Sequence, residues 1–217
     1  MEQPSQANSI VSLTVDNPDQ ASEYPSDNLD ILGIILAAGQ SSRYGHRNKL
    51  LEQVDNIPLI RHVVHTAQQS LIDEMIAVTG CDNERINRAI GNRCNTILNE
   101  NYRQGQSTSI ACGINVAQNR DVDAAVILLG DMPKISPNSI NKLIYAYDTT
   151  EYDILAASYN RQRGNPVLFD DAYFSELCDV TGDTGGKDIL LDNRDAALVE
   201  TNDFGVLFDI DRPGDIE

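Results

Sequence analysis

Apolar residues along the chain alternate between two periods. Ile31, Leu32, Ile34, Ile35 and Leu36 form a near-continuous run, which predicts a strand buried on both faces at the centre of a parallel sheet. From Pro58 to Ser70 the spacing turns helical, with Ile60, Val63, Val64 and Ala67 on one face and Pro58 suited to the first turn. The pattern then predicts a strand over Met75–Val78, a short helix over Glu84–Ile90, a strand over Thr96–Leu98 and a helix over Ser107–Gln118. Ala124–Leu129 reads as a second fully apolar strand. Ser136 and Pro137 supply the N-cap and first position of a helix continuing through Ile140, Leu143, Ile144 and Tyr147. Strands at Ile154–Ser158 and Pro166–Phe169, helices at Ala172–Leu177 and Asp188–Leu191, and a last strand at Val206–Ile210 complete the series. Such alternation predicts an α/β fold of three layers: a mostly parallel sheet with helices on both faces and ligands at the carboxyl ends of its strands.

Residues 1–30 depart from this pattern. They carry acidic residues and no Lys or Arg, with Pro4, Pro18 and Pro25 among many Ser, Asn, Gln and Asp, which predicts a disordered acidic extension. Ile10, Val11, Leu13 and Val15 alternate weakly, and their alternative reading is an edge strand or a partner-docking segment. Neither a secretory signal nor a membrane-length apolar run is expected. With 217 residues in all, 31–217 reads as a single domain.

A formal net charge of −17 argues against nonspecific binding to nucleic acid or to anionic membrane, so any phosphate site must gather its cations locally. Cys81, Cys94, Cys112 and Cys178 are dispersed, without a CxxC pair or a His at ligand spacing, and read as free thiols in a reducing cytoplasm. His62 and His65 lie three apart on a helix with no third ligand in view.

The candidate chemistry begins at ILGIILAAGQSSRYGHRNKLL, residues 31–51, where a buried strand enters a loop of small residues ending in cations. Ala37, Ala38 and Gly39 leave backbone amides open to a phosphate or base, and Arg43 and Lys49 bring a planar fork and a point charge. Neither GxxxxGK[ST] nor GxGxxG is present, which excludes the P-loop and the dinucleotide fingerprint. The strand AAVILLGD places Asp131 at the carboxyl edge of the sheet, where a carboxylate can hold Mg²⁺ against triphosphate oxygens or cap the following turn.

Strand, AAGxSSRxG and Lys, followed by GDMP, NENYRQGQSTSIACGI, RGNPVLF, TGDTGGKDILL and FDIDRPGDI, stand in the order found in molybdenum cofactor cytidylyltransferases, within the wider group of MobA-like NTP transferases, and this chain resembles that family from about Leu32 to its end. The resemblance implies an NTP site at Leu36, Ala37, Ala38, Gly39, Ser41, Ser42, Arg43, Lys49 and Gly130, with Gly105 and Ser109 beside the base. It implies catalytic roles for Arg43, Lys49 and Asp131, and Mg²⁺ on Asp131 with Asp209 or Asp211 as a second carboxylate. It sets Asn165, Pro166, Gly185, Gly186 and Lys187 on the acceptor side. AAG rather than AGG is associated in these relatives with CTP rather than GTP. The implied reaction transfers CMP from CTP to the terminal phosphate of a molybdopterin-type cofactor, with a molybdenum hydroxylase as recipient of the product. Alternatives are transfer to another phosphorylated small molecule, such as a sugar phosphate, and a noncatalytic nucleotide-binding carrier of the cofactor. This chain departs from the pattern in Tyr44, in the three residues between Gly45 and Lys49, and in Lys187 where Arg is frequent.

Overall fold

A computed structural model describes residues 10–15, 29–41, 44–45, 47–182 and 185–216. In chain order the elements are β1 (Val11–Thr14), β2 (Ile31–Ala37), β3 (Gln53–Val54), β4 (Ile57–Pro58), α1 (Leu59–Gln68), β5 (Glu74–Thr79), α2 (Asn83–Ile90), β6 (Asn95–Leu98), α3 (Gln106–Arg120), β7 (Ala124–Leu129), α4 (Pro137–Thr149), β8 (Ile154–Tyr159), β9 (Gln162–Asp170), α5 (Phe174–Asp179), α6 (Lys187–Asp192) and β10 (Ala196–Glu200). Eight strands form one sheet in the order β1-β10-β8-β9-β7-β2-β5-β6. β9 alone among them is antiparallel, lying between β7 and β8. The mostly parallel α/β architecture is therefore the one the pattern predicts.

Every residue of β2 is buried, as expected of a strand flanked by β5 and β7. Its side chains divide by the two-residue period of a strand. Ile31 and Ile35 join the core under α1, α2 and α4, with Val63, Val64, Ile86 and Leu143. Leu32, Ile34 and Leu36 join the core under α3, α5 and α6, with Ile110, Ile114, Phe174 and Leu190. Gly113 sets the height of α3 over the sheet. A β-carbon there would stand 2.4 Å from Ile34 Cγ2, so a larger residue would lift the helix that delivers its N-terminus to the carboxyl edge.

The β8–β9 hairpin turns through Asn160 and Arg161, both with positive φ (51° and 64°), the twist favoured by two-residue hairpins. The Glu200 carboxylate accepts both turn amides, Asn160 N at 3.2 Å and Arg161 N at 3.0 Å. Ser136 caps α4 through the amide of Ser139, with Pro137 in the first turn, as the sequence predicts.

Three expectations need correction. The last strand is Ala196–Glu200, paired with β8 and β1, whereas Val206–Ile210 is no strand. Phe204–Leu207 is a 3₁₀ turn capped by Asp203, and Gly205 sits so close to the Lys134 carbonyl that a β-carbon would stand 2.1 Å from its oxygen. The alternation of FDID mimics a strand, but its acidic positions, Asp209 and Asp211, gather with Asp131. Within the N-terminal extension, Val11–Thr14 forms β1, parallel to β10, the edge strand given as the alternative reading of that segment, while residues 1–9 and 16–28 lie outside the described residues. Leu13 and Val15 pack on the core, which supplies the burial that the acidic surroundings obscure. Pro58 precedes α1 as its cap residue and belongs to β4, one position earlier than expected.

Candidate active site at the carboxyl edge of the sheet

The loop leaving β2 borders a cavity of about 440 Å³. Leu36, Ala38, Gly39 and Ser41 form one wall, while Ala37, fully buried, belongs to the strand. Among the described residues no atom lies within 4 Å of where a β-carbon on Gly39 would stand, which leaves the backbone there open to a ligand. The loop is pinned by Asn48, only 3% exposed. Its Oδ1 accepts from Ser41 Oγ (3.3 Å) and from Leu50 N (3.1 Å), and its amide donates to the Cys81 carbonyl (3.4 Å). Cys81 N in turn donates to the Ala38 carbonyl (3.2 Å). Ser42 and Arg43 lie outside the described residues.

The opposite wall is the start of α3. Gly105, with φ 122°, precedes it and brings no capping side chain, and Ser107 N donates to the Gly182 carbonyl (3.1 Å), so the positive end of a 15-residue helix borders the cavity. Ser109 lines this wall at 4% exposure and is held by Asn99, whose amide donates to Ser109 Oγ and to Thr108 Oγ1, both at 2.9 Å. Asn101 N donates to Asn99 Oδ1 (2.9 Å), which fixes the orientation of that amide. Ser109 Oγ therefore accepts from the protein and has its own hydrogen to offer a ligand. Tyr102, Arg103 and Gln104 complete the wall, the Arg103 guanidinium standing 5.3 Å over the Tyr102 ring.

Opposite charges converge at the mouth of the cavity. Lys49 Nζ lies 2.7 Å from Asp131 Oδ2 and 2.9 Å from Asp211 Oδ1. Burial pulls the Lys49 pKa down, but the Asp131 charge and hydrogen bonds to Asp131 and Asp211 outweigh it and hold the ammonium above its ordinary value. Asp131, Asp209 and Asp211 each offer a carboxylate oxygen within 4.8 Å of the others. Burial, then the charges of Asp131 and Asp211, push the Asp209 carboxyl up. The segment carrying Asp209 and Asp211 is tied in place by Ile210 N donating to the Asp131 carbonyl (3.0 Å) and by Asp211 N donating to Asp215 Oδ2 (2.9 Å).

This cluster suits a divalent cation. Three carboxylates facing one ammonium leave two negative charges, and Asp131 Oδ1 is buried with no hydrogen-bond partner among the described residues. A buried carboxylate oxygen without a hydrogen-bond donor fits the ligand set of a divalent cation.

The remaining expected residues are spread around this centre. Gly130 lies beneath the site: its amide donates to the Leu36 carbonyl (3.0 Å), and a β-carbon would stand 2.9 Å from that oxygen and from Ile60 Cδ1. Asn165, Pro166, Gly185, Gly186 and Lys187 do not line the cavity. Asn165 is half-buried at the start of β9 and precedes a cis peptide to Pro166. Gly185 approaches Gln106 at the start of α3, Gly186 packs against Phe169, and Lys187 is exposed. Sequence reasoning missed Asn48, Asn99 and Arg103. A buried Asn within a loop of small residues gives no period, and Arg103 differs from other surface cations only through its place in the fold.

Fold and site define an α/β nucleotide-binding domain in which an open backbone loop and a helix N-terminus face a carboxylate–lysine cluster across one cavity. Residues 33–197 match the MobA-like NTP transferase domain, and the chain belongs to that family. It is 26% identical over 194 residues to purine catabolism protein PucB of Bacillus subtilis (strain 168), covering 84% of this chain and 92% of PucB. Bifunctional protein GlmU of Francisella tularensis subsp. holarctica is 28% identical over 160 residues, 72% of this chain, which spans about a third (34%) of GlmU. Among solved structures, Rv0371c from Mycobacterium tuberculosis H37Rv superposes with a TM-score of 0.74 at 26% identity, over 86% of this chain and 95% of that one. Among the described residues no helix is long and apolar enough to cross a membrane.

Proposed function

We propose that this nucleotidyltransferase passes CMP from CTP to the terminal phosphate of a molybdopterin-type cofactor, releasing pyrophosphate, with residues 31–217 as its catalytic domain. The observation that carries the reading is the Lys49–Asp131–Asp209–Asp211 cluster at the mouth of a cavity walled by the β2 loop and α3. An acceptor phosphate oxygen attacks the α-phosphorus, and the bond from that phosphorus to the pyrophosphate oxygen breaks. No protein nucleophile is needed. The open amides of the β2 loop and Arg43 hold the triphosphate, and the α3 N-terminus adds positive potential. Lys49, released from its carboxylates as phosphate oxygens enter, follows the charge that grows on the departing pyrophosphate. Asp131, with Asp209 and Asp211, would hold Mg²⁺, which when bound neutralises charge on the phosphate oxygens.

Two features support cytosine. Ala38 lines the cavity, and its methyl leaves less room for a purine there than a glycine would. The Ser109 hydroxyl, held as an acceptor by Asn99, offers its hydrogen to an acceptor such as O2 or N3 of cytosine. The test is incubation with Mg²⁺, molybdenum-loaded molybdopterin and each of CTP, GTP, ATP and UTP, reading pyrophosphate and dinucleotide. Product chiefly with CTP is expected. No product from any nucleotide, while CTP still binds, would transfer the assignment to another acceptor such as a sugar phosphate, or to a carrier.

A further inference from the structure

Three aromatic rings group at the same edge of the sheet, outside the nucleotide cavity. Tyr159 and Phe204 meet edge to face at 5.8 Å, and Phe204 and Phe208 lie 6.2 Å apart, tilted by 46°. The chain has no Trp and four Phe. Phe169 and Phe174 are 2% exposed within the core, so both remaining Phe residues are in this group, and Phe204 is 55% exposed. Lys134 places its ammonium 3.9 Å from the Phe208 ring centroid, and among the described residues it forms no ion pair.

The group adjoins the carboxylate cluster and is firmly attached to it. Phe208 immediately precedes Asp209, and Lys134 follows Asp131 by three residues. Asp203 Oδ2 accepts from Ser136 N (2.9 Å) and Ser139 Oγ (2.6 Å), and Ile210 N donates to the Asp131 carbonyl, which clamps the 203–211 segment onto the 131–139 loop. A single exposed apolar side chain needs no explanation, but an exposed ring within a fixed aromatic group beside a reaction centre is a stacking surface. On a chain of net charge −17, a lone ammonium at its margin selects an anion.

We infer that Tyr159, Phe204 and Phe208 form a platform for a planar heteroaromatic ring of the acceptor, with Lys134 meeting an anionic group on that molecule. This rests on the proposed nucleotidyl transfer and chooses among its acceptors, favouring a phosphorylated fused ring over a phosphorylated sugar.

The probe is a pterin bearing a phosphate ester, followed through quenching of its own fluorescence by the full chain, with a hexose 1-phosphate as the comparison ligand. Phe204→Ala should weaken the phosphopterin on the order of tenfold, the scale of one lost stacking contact, and leave hexose phosphate and CTP affinity unchanged. Lys134→Ala should weaken it about threefold, and Phe204→Tyr should restore wild-type binding. Equal phosphopterin affinity in wild type and Phe204→Ala would overturn the inference, as would an equal loss for hexose phosphate. A dimer that Phe204→Ala converts to monomer, with no change for phosphopterin, would mark the platform as a protein contact and overturn it too. The two readings fail separately. Phe204-dependent phosphopterin binding without turnover of CTP removes the transferase and keeps the platform, while CTP turnover indifferent to Phe204 does the reverse.

Discussion

The nucleotide side of the carboxyl edge and the side of β8, β9 and β10 are constructed differently. On the first, β2, β5 and β6 run parallel, and a single short stretch after β2 supplies most of one cavity wall. On the second, β9 runs against its neighbours, and the surface is assembled from residues near 134, 159 and 204–211. A triphosphate is chemically constant, so one contiguous loop can serve it. An acceptor varies, and a surface drawn from separate segments can change one piece without disturbing the loop. The two sides meet at Asp131, Lys49 and Asp211.

Substitutions at that junction should have the largest effect. Asp131→Ala and Lys49→Ala should each lower turnover on the order of 10²-fold or more, the usual cost of a lost electrostatic stabiliser, with the fold retained. CTP affinity should change far less in Asp131→Ala, because the β2 loop and α3 remain intact. Steady-state kcat and KM for CTP separate the two effects. Turnover near wild type in either variant would remove the junction from catalysis.

A smaller effect confined to the second side is expected at Asp203. Burial alone would raise its pKa, but hydrogen bonds from Ser139, the Ser136 amide and the Gly205 amide outweigh burial and hold it below 3.8. A carboxyl with a depressed folded pKa stabilises the protein above its unfolded value, and that stabilisation is lost as pH falls through the lower folded value. Asp203→Ala should therefore cost about 2 kcal/mol at pH 7. The gap from wild type should narrow as pH drops below about 4. Urea denaturation of both proteins across that range checks it, and a gap independent of pH would show that the anion is not what clamps the segment.

The same division explains what was legible in the sequence. The parallel core was readable because β2 and β7 are apolar runs and α1, α3 and α4 keep a helical period. The β2 loop was readable because its small residues and cations are contiguous, and Lys49 and Asp131 do meet although 82 positions separate them. Asp211 was one of two open choices, and the structure brings both it and Asp209 to the cluster. The aromatic group was not legible: no local period joins Tyr159 to Phe204, and FDID reads as a strand until Gly205 and Asp203 are seen to turn the chain before it. The family resemblance set Gly186 on the acceptor side, yet its lack of a side chain makes room for Phe169, from which a β-carbon would stand 2.7 Å away.

The smallest effect belongs to the nucleotide side alone. Ser109→Ala removes a hydroxyl that accepts from Asn99, whose amide keeps its bond to Thr108 Oγ1 while its second N–H loses an acceptor, a cost that falls on the fold and not on the ligand. The loss is then one hydrogen bond to the base, about 1 kcal/mol or roughly fivefold in CTP affinity. Because the base is remote from the phosphorus that reacts, KM for CTP should rise while kcat stays near wild type, the signature of a contact equally strong in ground and transition states. An equal fall in kcat would place Ser109 nearer the reacting phosphates than the base. An unchanged KM would mean that the base lies elsewhere in the cavity, with α3 contributing its N-terminal amides and not its hydroxyl.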